Sequence, residues 1–264
     1  MTGSLHARRA SRATCRSRNR LNRIVSLVPS ITELICELGL AGQLVGRTGF
    51  CIHPRAALQS IPKVGGTKSV NLSKIRELSP THVIVNVDEN RRETADALAK
   101  FVPKLIVTHP MAPLDNLALY RQIGDAFGVR AGAEALCARF EGEYNEIKVR
   151  SFKPRKVLYL IWKDPWMTVS PDTYVSRMLG LFGMNSVPAE VEKRYPELVT
   201  LDVPEAELLL LSTEPYRFRK SDRDALRAAL GKPVYLIDGE MTSWYGPRAI
   251  EGLRYLAEFS SRLS

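Results

Sequence analysis

The stretch "RAGAEALCARFEGEYNEIKVR", Arg130 to Arg150, decides the fold. Leu136, Phe140, Tyr144 and Ile147 recur at steps of four, four and three, and no proline interrupts them, so the run reads as one amphipathic helix. Roughly twenty residues at about 1.5 Å each make a rod of about 30 Å, the width of a small lobe. Such a rod is either a core helix or a strut between two lobes, and the sequence on each side of it bears on the choice.

On the N-terminal side, "RIVSLV" from Arg23 is short, apolar and β-branched, hence a strand. "PSITELICELGL" follows it, with Ser30 and Glu33 at capping-box spacing, Ile31, Leu34, Ile35 and Leu38 on one face, and Gly39 to end the helix. "QLVGRT", "HVIVNV" and "KLIVTHP" read as further strands, and Leu72–Leu78, Arg91–Lys100 and Leu114–Phe127 as helices. On the C-terminal side, the strands "KVLYLIW", "ELLLLS" and "PVYLID" alternate with helices over Pro171–Phe182, Ser221–Leu230 and Arg248–Leu263. Strictly alternating strands and helices imply parallel or mostly parallel sheets with helices on their faces. The second half repeats the plan of the first, with "NLSKIRELSPTHVIVN" echoed by "VTLDVPEAELLLLS". The expected architecture is α/β: two lobes with mostly parallel central sheets, joined by one long backbone helix. The expected boundaries are a tail over 1–22, a first lobe over 23–129, the linking helix over 130–150 and a second lobe over 151–264.

The net charge of +10 is concentrated. Residues 1–23 hold seven arginines and no acid, which leaves about +3 on the rest, where basic and acidic residues alternate as on a solvated surface. Nucleic acid is therefore not the expected partner. The tail is poor in apolar residues and lacks the apolar segment of a secretory signal. It is expected to be disordered or the product of a misplaced start, with an organelle transit segment as the third reading. No apolar run is long enough to span a membrane, so membrane association is peripheral at most.

Cys15, Cys36, Cys51 and Cys137 form no CxxC pair, and the four histidines no HxxxH, so neither a disulfide framework nor a protein-bound metal is expected. GxSxG, GxGxxG after a strand, and HExxH are all missing. "VGGTKS" lacks the glycine directly before Lys68 that a phosphate loop requires, and reads as a turn before a helix. Asp164, Asp238 and Glu240 are acids without an evident nucleophile beside them. The informative feature is aromatic. In open α/β sheets ligands sit beyond the carboxyl ends of the strands. Trp162 ends "KVLYLIW" and Trp166 follows four residues on; Trp244 and Tyr245 follow "PVYLID"; Phe50 follows "QLVGRT". Rings at that level suit a large flat ligand, because they supply area with little entropy loss.

With "RIVSLVPSITELICELGL", "LVGRTGFCIHP", "KVGGTKSVNLSKIRELSPTHVIV", "WKDPWMTVSPDTY", "LLLLSTEPYRF" and "DGEMTSWYGPRAIEGLRYL" in this order, the chain resembles the helical-backbone (class III) substrate-binding proteins of ABC importers. These serve cobalamin, haem and iron–siderophores, and the likeness is greatest to the cobalamin-binding branch. The resemblance implies two α/β lobes bridged by one helix, small closure movements, and a ligand in the cleft. It places Phe50, Trp162, Trp166, Glu240, Trp244, Tyr245 and Arg248 at that cleft, with backbone N–H groups near Gly65 and Gly66. Thr67 and Asn86 occupy two positions that are aromatic in cobalamin binders. The family docks on its permease through one acid per lobe; here these positions are Asp202 and Ser73, so the first acid is missing.

The leading expectation is a non-enzymatic, monomeric binder with no cofactor of its own. Its ligand would be a cobalt corrinoid or an iron chelate, its partners an ABC permease and ATPase, and its site extracytoplasmic by family. His53 is a candidate axial ligand to the chelated metal, with a solvated loop histidine as the plainer reading. The alternatives are a cytoplasmic corrinoid binder without a transporter, or an α/β enzyme acting on a corrinoid precursor through Asp164 or Glu240. A nucleic-acid module led by the arginine tail comes last.

Overall fold

The structure is a computed structural model that describes residues 22–263; the expectations for the tail, including Cys15, lie outside these residues apart from Asn22. The chain begins with β1 (Ile24–Ser26), α1 (Pro29–Glu37), β2 (Leu44–Arg47), α2 (Arg55–Leu58), α3 (Leu72–Glu77), β3 (His82–Asn86), α4 (Arg92–Ala99) and β4 (Lys104–Thr108). Two helices follow, α5 (Asp115–Phe127) and α6 (Arg130–Lys148). The remainder comprises β5 (Arg155–Trp162), β6 (Trp166–Thr168), α7 (Tyr174–Gly180), β7 (Met184–Ser186), β8 (Glu197–Leu198), β9 (Leu208–Ser212), α8 (Lys220–Leu230), β10 (Val234–Ile237), α9 (Gly239–Ser243) and α10 (Arg248–Ser261).

The first sheet has the order β2-β1-β3-β4 and is parallel throughout. Its central strands β1 and β3 are buried along their whole length, including the polar Ser26, His82 and Asn86 at their ends. The second sheet is mixed. β10, β9, β5 and β7 are parallel, while β6 folds back antiparallel on β5 and pairs with β8. The fold is thus α/β with one parallel and one mixed sheet. β6, β7 and β8 have three, three and two residues, too short to show a period of two.

α6 runs within two residues of the span its periodicity predicts. It packs against both α5 and α10. α5 ends at Gly128, which adopts φ 72° and so turns the chain into α6. At the crossing, a Cβ on Gly124 would lie 2.5 Å from that of Ala133, so only glycine lets the two helices approach this closely. Leu136, Phe140 and Ile147 are buried in one continuous core with Tyr120 and Ile123 of α5, Leu253 and Leu256 of α10, Ile24 and Ile84 of the first sheet, and Val157 and Tyr159 of the second. α6 is therefore a core helix whose apolar stripe is shared by both sheets; core helix and strut coincide.

Helix starts depart from the expected caps. α1 opens on Pro29 after Val28, and no side chain caps it; Glu33 turns elsewhere. α7 is capped by Thr173, whose Oγ1 accepts from Ser176 N, so the helix starts three residues after Pro171. At α8 the Asp222 carboxylate accepts from Arg219 N at 2.9 Å, so the cap lies two residues before the expected Ser221.

Candidate ligand-binding cleft

Parallel strands bring their C-terminal ends to one level. The loops after β1 (Pro29, Ser30), β2 (Gly49, Phe50, Ile52), β3 (Asp88, Glu89) and β4 (Pro110) face those at the ends of β5 (Ile161, Trp162), β9 (Glu214, Pro215) and β10 (Glu240, Ser243) across a single cleft of about 580 Å³. That volume lies within the range of small-molecule sites. Asn86, Met167, Val169, Tyr174 and Tyr195 are among its other lining residues.

The wall after β10 is built from a short helix. Asp238 accepts from Glu240 N and Met241 N, capping the N-terminus of α9, and the helix delivers Trp244 and Tyr245 to the cleft. Both rings are largely buried, at 8% and 6% exposure, and both polar atoms are tied down. Trp244 Nε1 donates to Glu214 Oε1 at 2.5 Å, and Tyr245 OH donates to Glu89 Oε1 at 2.6 Å. His53 meets Trp244 edge-on at 5.7 Å, and Tyr174 meets Tyr245 at 5.8 Å. Gly246 follows at φ 83°; its carbonyl accepts from Tyr120 OH at 2.8 Å and its N–H donates to Asn116 Oδ1 at 2.7 Å. Trp162, 39% exposed, leans on Tyr216 at 5.6 Å. On the opposite side Phe50 and Ile52 stand 62% and 49% exposed. A Cβ on Gly66 would touch the Phe50 ring at 3.3 Å, so that glycine clears the space the ring occupies.

The polar lining is acidic. Asp88, Glu89, Glu214 and Glu240 face the cleft, with Lys68 the basic side chain among the lining residues. Removal from water pushes the Glu89 carboxyl up to about 7, against the opposing effect of the Tyr245 hydroxyl. Glu214 rises to about 7 for the same first reason, with the nearby charge of Glu240 adding to it. Glu240 is balanced by His53 at 3.0 Å and Arg248 at 3.3 Å, and Arg248 also grips Glu33 through two bonds of 2.9 and 2.6 Å. Asp88 pairs with Arg194 and accepts from Tyr195 OH at 3.3 Å. His53–Glu240, Glu89–Tyr245, Glu33–Arg248 and Asp88–Arg194 thus all link the first part of the chain to the second.

Of the expected residues, Phe50, Thr67, Asn86, Trp162, Glu240, Trp244 and Tyr245 line the cleft, and Trp166, Gly65, Gly66 and Arg248 do not. Trp166 is a correction to the expected rim: on β6 the alternation of side chains aims Met167 and Val169 at the cleft and Trp166 at the far face. There it stacks on Phe218 at an interplanar angle of 2°. The Gly66 N–H donates to Ser69 O at 2.8 Å, so it does not present itself to a ligand. Arg248 stands behind the wall as the partner of Glu33 and Glu240. Asn86 spends its amide on the loop, donating to Thr108 O and accepting from Asp88 N and Glu89 N. Asp164, in the turn before β6, is exposed and outside the lining. Ser73 and Asp202 are exposed. Among the described residues, no group of three or more His, Cys, Asp and Glu could hold a metal ion, and no helix is long and apolar enough to cross a membrane. Glu214 and Asp88 were missed. Both directly follow strand ends, "LLLLSTE" and "VIVNVD", where the rule that located Trp244 also applies.

Two α/β sheets whose strand ends close on an aromatic, acceptor-rich cleft define a two-sided ligand-binding protein. The chain belongs to the periplasmic binding protein family, whose model matches residues 24–203. It is 26% identical over 251 residues to an uncharacterized ABC transporter substrate-binding lipoprotein, YvrC, of Bacillus subtilis, covering 89% of this chain and 79% of that one. Among solved structures, the periplasmic vitamin B12 binding protein BtuF of Vibrio cholerae superposes with a TM-score of 0.76 at 18% identity, covering 91% of this chain and 96% of BtuF. The periplasmic haem-binding protein RhuT of Roseiflexus sp. RS-1 gives 0.74 at 24% identity, covering 91% and 97%. This is the class III periplasmic binding protein fold.

Proposed function

We propose that the protein is the substrate-binding component of an ABC importer, working outside the cytoplasm without catalysis, and that its cleft holds a cobalt corrinoid in preference to an iron chelate. The observation that carries the choice of ligand is the set of four carboxyl groups along the lining, against one basic side chain. Haem carries carboxylates at its edge, and these would meet Asp88, Glu89, Glu214 and Glu240. A corrinoid carries amides, whose N–H groups those oxygens accept. Phe50 and Ile52 on one side and Trp162 and Trp244 on the other grip the flat body, each ring adding about 0.5–1.5 kcal/mol beyond area burial. The family match and the named relatives support the importer role. Asp202, exposed in the second half, is the docking residue for permease arginines, and Ser73 offers no second charge, so opposite charges set encounter and register on one side alone.

The test is titration of the purified protein with cobalamin, cobinamide and haem, followed by the visible absorbance of the chelate and by calorimetry. Cobalamin binding tighter than haem is expected. Silence with all three at about 100 μM, far above a micromolar Kd, rejects the ligand class.

A further inference from the structure

A second pocket of about 480 Å³ opens beside the cleft and shares Gly49 and Ile52 with it. Its polar side chains are Arg47, His53, Arg55, Gln59 and Lys63, and no carboxylate lines it. Arg47, at the end of β2, is only 7% exposed. Its Nε donates to Leu58 O at 3.1 Å, and its Nη1 to Cys51 O at 2.9 Å and Thr48 O at 3.2 Å. Among the described residues Nη2 has no partner, and no carboxylate comes within ion-pair distance of Arg47, Arg55 or Lys63. Glu240 approaches only the far side, where it takes His53.

The guanidinium is bound only to neutral carbonyls, and its unpartnered Nη2 is not sealed in the core, so its open edge is offered to the pocket, where an anion would compensate its charge. Its role as a staple for the 48–58 loop uses Nε and Nη1. The Nη2 donors remain, in the planar geometry that suits two oxygens of one phosphate or carboxylate. Arg55 and Lys63 lie on exposed rims of the same pocket and add attraction without a structural task of their own.

We propose that this side pocket binds one phosphate or carboxylate group. The wall it shares with the cleft makes an anionic arm of the cleft's ligand one source, which rests on the function proposed above; a free anion is the other.

The test uses the full chain and the double variant Arg55→Glu/Lys63→Glu, which leaves the Arg47 staple and the core intact. One readout is the change in Tm on replacing chloride with inorganic phosphate at equal ionic strength. The other is the affinity ratio between cobalamin, which carries a phosphodiester, and cobinamide, which lacks it. Phosphate is expected to raise the Tm of the wild type and not that of the variant, and the ratio to be about tenfold in the wild type and near one in the variant. A ratio that collapses assigns the anion to the ligand's arm. A phosphate effect without any chelate binding assigns it to a free anion and rejects only the function proposed for the cleft. If neither readout separates wild type from variant, the pocket is not an anion site.

Discussion

The wall after β10 and the loop after β2 face each other across the cleft and are finished to different degrees. Trp244 and Tyr245 are packed edge-on by His53 and Tyr174, and each has its hydrogen bond satisfied by a carboxylate. Phe50 and Ile52 project into solvent, the first mostly exposed and the second about half. The first surface is preorganised, so it fixes the position of a guest at little ordering cost. The second gains most from contact, since the area it still exposes is removed from water only when the cleft is filled. Orientation and burial are therefore divided between the two sides.

Substitutions separate these roles, and the largest effect is expected at Trp244. Trp244→Ala removes a buried ring and leaves Glu214 without its indole donor. It should lower stability by about 3 kcal/mol and affinity for the corrinoid proposed above at least tenfold, read by denaturant titration and calorimetry. If Phe50→Ala weakened binding more than Trp244→Ala, the division of labour would be reversed. Trp166→Ala, on the far face of the same half, should lower stability by about 2 kcal/mol and leave affinity unchanged. Any loss of ligand binding there would mean that the hairpin's back face shapes the cleft.

A third measurement is stability against pH. Glu89 and Glu214 ionise near 4.5 in the unfolded chain and near 7 in the folded one. The folded state then holds the extra protons between these values, so stability falls as pH rises from about 4.5 to about 7 and levels off above it. Glu89→Gln should flatten part of this slope in Tm measured across that window; an unchanged slope would mean that the Glu89 carboxyl is solvated. The smallest change is expected from Phe50→Ala, with stability within about 0.5 kcal/mol of wild type and affinity about fivefold lower.

The long strands and α6 were legible because each spans enough residues to display its period, and their ends lie within about two residues of the readings from sequence. The hairpin of β5 and β6 was not: Asp164-Pro165 signals a turn, but three residues cannot reveal which side of a strand Trp166 takes. Phe50, Trp162, Trp244 and Tyr245 were found because strand ends in parallel sheets converge, and that is a property of topology rather than of neighbours in sequence. Glu33 and Arg248 show the opposite case. Read locally, Glu33 belongs to a helix cap and Arg248 to the ligand, yet they bind each other across 215 residues, a pairing no window of sequence displays.

Gly246 has a mechanical consequence. Its two bonds to Asn116 and Tyr120 moor the segment carrying Trp244 and Tyr245 to α5, a helix from the middle of the polypeptide. That segment is a stationary jaw. Asn116, which is not among the residues lining the cleft, therefore helps to hold the wall from behind.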